Sequence, residues 1–304
     1  MPILLWLLRG LARCPLRLLH AVGGLLGRGA YAFSPSYRQR LDANAALAGV
    51  GEVDRREAIA AAGRMSVETP RLWLRRHDAP IADPVRWEGA ELIEGLVGSG
   101  RGLVLLAPHM GSFEIVGQAY AERFGARQPI TALYRPARHA LLRELQERAR
   151  ARPNMHTAPA SLAGVRLLLR ALKRGETVGM LPDQVPPEGM GVWAPFFGQP
   201  AYTMTLAAKL ARQSGADVIA IWGERLPRGA GYVVRPLPLA VPLAPADTLP
   251  ANAEAAALAD ATAINQSMEA VIGAGPAQYL WGYHRYKHPR LPEAAAETRR
   301  ATPA

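Results

Sequence analysis

GLVLLAPHMGSFEI, residues 102–115, decides how this chain is read. Leu103 to Ala107 is an unbroken apolar run, the pattern of a strand covered on both faces. Pro108, His109 and Gly111 end the run, and Ser112 can cap a helix that continues to about Phe124. A buried strand that gives way directly to a helix is a building unit of α/β folds.

The same alternation continues outward. Upstream, helices are predicted over 37–48, 54–76 and 89–98. Downstream, ITALYRP (130–136) reads as a strand and 138–150 as a charged helix. An amphipathic helix over 161–174 leads to a buried strand, TVGMLPD (177–183). After a loop at 184–200 come a helix at 203–213, strands at 217–226 and 231–237, and a long helix at 252–272. The expected fold is α/β, with a mixed, largely parallel sheet flanked by helices.

The 304 residues, 49% hydrophobic, suffice for one catalytic domain over 34–291. A segment of different character precedes it at 1–33, and the tail at 292–304, rich in Ala, Thr, Glu and Arg, is expected to be disordered. The net charge of +11 fits nucleic acid, an anionic lipid surface or an acidic protein such as an acyl carrier. Aromatic residues are only 7% and no basic stripe is interleaved with them, so nucleic acid is the weakest of the three. Cys14 is the single cysteine, which rules out an intrachain disulfide and suits a reducing compartment.

The apolar runs of residues 1–33 are broken by Arg9, Arg13, Arg17 and Arg28. None approaches the roughly 18–20 uncharged residues of a membrane span. Arg9, Arg13 and Arg17 recur every four residues, which on one helix makes a cationic stripe beside a leucine face. This predicts a membrane-associating amphipathic helix, kinked at Pro15, with arginines toward anionic headgroups. Packing of the same helix on the catalytic domain is the competing expectation.

Three His-x4-Glu spacings occur, His109–Glu114, His139–Glu144 and His288–Glu293, where composition alone predicts roughly 0.6. Only the first combines a buried strand end with the first turn of a helix. There the Glu114 carboxylate is expected to accept the Nδ1 proton of His109 and leave Nε2 as a general base. A histidine serving only the turn is the alternative. Ser112 is not in a G-x-S-x-G elbow and reads as a cap. Arg135 and Asp183 end two further strands at the same sheet edge, where ligands of α/β sheets collect. Arg166, Arg170, Lys173 and Arg174 share one side of a helix, a surface for an anionic lipid or an acidic carrier.

APHMGSFE (107–114), YRP (134–136), MLPDQ (180–184), GVWAPFFGQPAYT (191–203) and QYLWGYHRYK (278–287) occur in this order. Together they resemble the bacterial lipid A late acyltransferases, within the wider glycerol-phosphate and lysophospholipid acyltransferase superfamily. The last two blocks are more specific than the His–Glu pair. Ser112-Phe113 departs from the Asn-Trp that many members carry. The resemblance implies that His109 and Glu114 are the catalytic pair and that Arg135 and Asp183 belong to the second and third superfamily blocks. It also implies that Phe196, Phe197 and Thr203 shape the acyl and acceptor site.

An acyl carrier protein thioester is then the expected donor and a lipid A precursor the acceptor. The place is the cytoplasmic face of the bacterial inner membrane, and neither metal nor cofactor is called for. Relatives acylate other lipids, so an ornithine lipid or glycolipid acceptor stays open. So do a lipid esterase or thioesterase and a non-enzymatic basic membrane-binding scaffold.

Overall fold

The computed structural model describes residues 2–137, 139–150 and 152–290. The expected disordered tail and Glu293 lie outside the described residues. Seven strands form one sheet: β1 (Val85–Trp87), β2 (Leu103–Leu106), β3 (Ile130–Tyr134), β4 (Met155–Pro159), β5 (Thr177–Met180), β8 (Asp217–Arg225) and β9 (Tyr232–Pro238). Their order is β1-β9-β8-β2-β5-β3-β4. Every pairing is parallel except β8 with β9. A separate antiparallel hairpin joins β6 (Gly191–Phe196) to β7 (Gln199–Met204).

The central strand is the run read first. β2 pairs with β5 on one side and β8 on the other, and all four of its residues are buried. Alternate side chains enter opposite cores. Val104 and Leu106 pack in the layer of α8 (Leu162–Lys173), α9 (Leu206–Ser214) and α10 (Ala253–Gly273). Leu103 and Leu105 pack under α5 (Ala90–Leu96) and α6 (Phe113–Arg123). With helices on both faces, no position of β2 meets water, which is why the run has no polar alternation. The remaining helices are α1 (Pro2–Arg13), α2 (Leu16–Phe33), α3 (Pro35–Leu47), α4 (Glu52–Trp73) and α7 (Ala140–Arg150).

Four elements differ from expectation, the first being β1, a short strand just ahead of the expected helix at 89–98. The expected loop at 184–200 contains most of the β6–β7 hairpin, whose turn residues Phe197 and Gly198 both have positive φ, 46° and 74°. That is the backbone of a tight hairpin turn, normally signalled by Asn-Gly and here hidden behind Pro195 and Pro200. β4, with its Met-His-Thr-Ala-Pro sequence, was not expected at all; its proline is tolerated because β4 is an edge strand. The expected kink at Pro15 is a full break between α1 and α2, so Arg9, Arg13 and Arg17 do not form one continuous stripe.

α2 packs on α4 through glycines. A Cβ on Gly63 would overlap the Gly23 carbonyl and the Gly27 backbone, and one on Gly27 would overlap the Ile59 carbonyl. Backbone therefore meets backbone, the close approach that small residues permit. The opposite face of α2 is bare: Leu18, Leu25, Leu26 and Phe33 are exposed, as is Trp6 of α1. No described helix is long and apolar enough to cross a membrane.

The contact predicts an asymmetry within the helix pair. Gly63→Leu should force the helices apart and cost about 3 kcal/mol or more. Gly29→Ala, at a position with open space around it, should stabilise by up to about 1 kcal/mol. Urea unfolding of the two purified variants against wild type measures both.

Candidate active site

The parallel register places the site. Leu106 of β2 lies opposite Met180 of β5. Three residues beyond each partner stand His109 and Asp183, side by side. The Asp183 carboxylate takes two bonds from one residue: Oδ2 accepts the His109 backbone N–H at 2.9 Å, and Oδ1 lies 2.7 Å from Nδ1. Asp183 is 2% exposed, whereas the His109 side chain retains 17%. Burial pushes the Asp183 carboxyl up, but His109, with Arg285 nearby, holds it below the usual aspartate range. A carboxylate beside Nδ1 accepts from Nδ1–H, and in that tautomer of a neutral imidazole Nε2 is the acceptor.

Glu114 is therefore not the partner of the imidazole that its spacing suggested. The N–H and Nδ1 of His109 are already held by Asp183, and the first turn of α6 carries the buried Glu114 carboxylate onto Arg150 of α7. The Arg150 guanidinium lies over the rings of Trp73 and Tyr134, 5.5 and 6.0 Å from their centres. The site thus holds His109 against Asp183 and, separately, Glu114 against Arg150. Ser112 occupies the N-cap position of α6 but makes no capping bond; its Oγ is buried without a partner.

The turn bearing His109 is fixed from several sides. The His109 carbonyl accepts from Leu280 N–H at 3.1 Å, and Gly111 N–H donates to the Gln278 carbonyl at 3.0 Å. Ser112 N–H donates to Gly223 of β8 at 2.8 Å. Gly111 has φ 54°, and a Cβ there would overlap the Gly223 carbonyl, so the position requires glycine. The Gly111 carbonyl accepts from Arg225 Nη2 at 2.8 Å, and Arg225 in turn makes two bonds to Glu68 of α4, at 2.9 and 2.7 Å. His20 of α2 closes the group, its Nε2 2.9 Å from Glu68.

Of the other residues singled out, Arg135 follows β3 at the same sheet edge and is exposed. Thr203 lies in β7, not at a helix start. It is fully buried, and its Oγ1 accepts from Arg285 Nη2 at 2.7 Å and Asn265 Nδ2 at 3.0 Å. The Phe196 ring lies 5.0 Å from the Arg285 guanidinium, and Phe197 packs between Phe196 and Trp281. Thr203 and Phe196 thus brace Arg285, a buried cation whose pKa burial pulls down and which lies close enough to help hold the Asp183 charge. Arg166, Arg170 and Lys173 on α8 and Arg174 just past its end are all exposed, with Leu162 and Leu167 bare beside them. Arg174 is engaged by Glu176 at 2.7 and 2.8 Å.

Arg150, Arg225 and Glu68 escaped sequence reasoning, since single charged residues on long helices or strand ends carry no period. Tyr279, whose hydroxyl burial and Asp183 push well up, and Arg285 fall in the QYLWGYHRYK block, which was recognised as a block but not resolved into roles. Among the described residues, no three His, Cys, Asp or Glu side chains gather in a metal-binding arrangement.

Glu68 also makes the site sensitive to acid. Burial would push its carboxyl up, but Arg225 and His20 hold it down to about 2. A carboxylate depressed in the folded state stabilises above its unfolded pKa and loses that contribution as pH falls through the folded one. Wild-type stability should therefore decline between about pH 4.5 and 2 more steeply than that of Glu68→Gln. The variant should also be weaker at pH 7 by about 3 kcal/mol, because it leaves Arg225 buried without its counter-charge. Urea midpoints measured against pH report both.

Known proteins align with this sequence over most of its length. Residues 3–288 match the profile of the family described as bacterial lipid A biosynthesis acyltransferase. A lipid A biosynthesis lauroyltransferase of Escherichia coli (strain K12) is 28% identical over 292 residues, covering 93% of this chain and 89% of the relative. A lipid A biosynthesis palmitoleoyltransferase of the same strain is 29% identical over 229 residues, 74% and 68% of the two chains. A lipid A biosynthesis acyltransferase of Haemophilus influenzae is 27% identical over 243 residues, 78% and 71% of the two. With the match running from α1 through both strand ends of the site to the C-terminal block, the chain belongs to the bacterial lipid A biosynthesis acyltransferase family.

Proposed function

We propose that this enzyme moves a fatty acyl group from an acyl carrier protein thioester to a hydroxyl of a lipid A precursor, at the cytoplasmic face of the bacterial inner membrane. The observation that carries the reading is the buried Asp183 on Nδ1 of a partly open His109. Nε2 takes the proton of the acceptor hydroxyl, and the oxygen attacks the thioester carbonyl. The tetrahedral intermediate collapses with loss of the carrier thiolate, which regains the proton from the imidazolium. The products are the lipid ester and the free carrier thiol. Asp183 stabilises the imidazolium, and Glu114 contributes by holding Arg150 in place.

Two surfaces support the substrates proposed. The exposed face of α8 interleaves Leu162 and Leu167 with Arg166, Arg170 and Lys173, which suits an acidic carrier protein that also offers apolar contact. The bare leucines of α2 with Trp6 of α1 suit the interface of a bilayer. Hydrolysis through a serine nucleophile finds no support here, because Ser112 Oγ is enclosed and has no base beside it.

His109→Ala should lower acyl transfer by about 10²–10⁴-fold with an unchanged unfolding midpoint. Asp183→Asn should lower kcat by a similar factor, since an amide on Nδ1 no longer enforces the productive tautomer. Because Asp183 titrates below its usual range, its ionisation does not set the acid limb of the rate near neutral pH. Glu114→Gln should have the smallest effect of the three, as an amide still bonds Arg150. Steady-state assays with a synthetic acceptor rank the variants. Rates for Glu114→Gln below those for Asp183→Asn would return the orienting role to Glu114.

The donor is tested by competing chemistries. Replacing Arg166, Arg170 and Lys173 by Glu should lower kcat/KM for the carrier-protein donor by about tenfold or more, with a smaller change for the matching acyl-CoA. Equal losses with both donors would place the carrier elsewhere.

A further inference from the structure

Between α1 and the C-terminal turns of α4 lies a cleft of about 420 Å³. Four arginines line it, Arg9 and Arg13 from α1 with Arg71 and Arg75 from α4 and the turn beyond, against one acid, Asp83. Two of the four are engaged by protein. Arg71 bonds both oxygens of Asp83 at 2.6 and 3.0 Å, and its Nη1 bonds the carbonyls of Cys14 and Ala12 at 2.9 and 3.3 Å. It thereby holds the end of α1 in place. Arg75 is bound to Gln118, Glu122 and the Ala79 carbonyl.

Arg9 and Arg13 differ. They stand one helical turn apart, and neither has an acidic partner among the described residues. Two unengaged guanidiniums, one turn apart on a helix docked by Arg71, face a wall that also offers Leu74 and Ile81. Guanidinium pairs recognise phosphate oxygens, and a wall of aliphatic carbon suits the glyceryl end of a lipid. The same helix exposes Trp6 and Leu7, so apolar surface is bare on the element that forms the cleft.

We infer that this cleft seats the phosphodiester of an anionic bilayer phospholipid, Arg9 and Arg13 donating to its non-bridging oxygens. The site rests on the membrane association proposed above. It gives that association a headgroup preference distinct from the apolar contact made by α2. Its lining includes none of His109, Asp183, Glu114 and Arg150, and none of its arginines is assigned a part in the transfer.

Flotation of the full chain with vesicles of phosphatidylcholine, alone or mixed with phosphatidylglycerol, tests the site. Wild type should bind the mixed vesicles more tightly. The double variant Arg9→Gln/Arg13→Gln should lose about tenfold of that affinity relative to Arg17→Gln/Arg28→Gln, which removes equal charge from the same segment. Ala82→Trp, which fills the cleft without altering charge, should lose the preference as well. Equal losses in the two double variants would reduce the effect to diffuse charge and overturn the site, as would a preference unchanged by Ala82→Trp. Full competition by millimolar inorganic phosphate would overturn a lipid ligand in favour of a free anion. A raised KM for the lipid acceptor in phospholipid-free micelles of the Arg9/Arg13 variant would instead make the cleft an acceptor subsite. Wild type bound equally to both vesicles refutes this site alone, whereas wild type bound to neither refutes membrane association itself.

Discussion

The parallel pairing of β2 with β5 is the constraint on which the site depends. Along their paired length the two strands carry a single polar side chain, Thr177, whose buried hydroxyl is bonded to Tyr120 and Gln128, because helices cover both faces of the sheet. The imidazole and carboxylate of the site stand just past the point where the strands stop. Since the strands run in the same direction and in register, they stop together, and residues equally far past the ends become neighbours. His109 and Asp183 are separated by 74 positions in the chain and by one hydrogen bond in space. A shift of one register step would move the carboxylate by about 3.3 Å and leave the imidazole without its partner.

Around that pair the protein accepts a dense set of buried charges: Glu114 with Arg150, Glu68 with Arg225, and Arg285 beneath Asp183. Such pairs are poor sources of stability, because desolvation offsets most of their attraction. What they supply is position. Arg225 reaches from the end of β8 to the carbonyl of Gly111, and its counter-charge comes from α4, which α2 supports through His20. The turn bearing His109 is thereby referenced to the sheet on one side and to the N-terminal helices on the other.

Much of this was legible in the residues. The run Leu103–Ala107 announced a doubly covered strand, and the periodicities located helices α3 to α10 to within a few positions. What was missed follows from what spacing can encode. His109 and Glu114 are close in sequence, so their pairing suggested itself; Asp183 could join them only through strand register, which no local pattern records. The β6–β7 hairpin was concealed because Pro195 and Pro200 resemble loop residues and because Phe197 takes a backbone conformation usually left to Asn or Gly. Family likeness drew attention to the right blocks, and Asp183 was already among them. It did not say that Thr203 and Phe196 touch a buried arginine, Arg285.

The glycine contact between α2 and α4 has a consequence for how this protein can change over generations. At Gly23, Gly27 and Gly63 the helices touch through main chain, so there is no side chain to trade for another of similar bulk. Compensation, the usual partner of drift in a core, has nothing there to work with. The outer face of α2 is under no such restriction, and its leucines can be exchanged for other apolar residues one at a time. Within a single helix, one side is thus frozen by crowding while the other is free to adapt to whatever surface it meets.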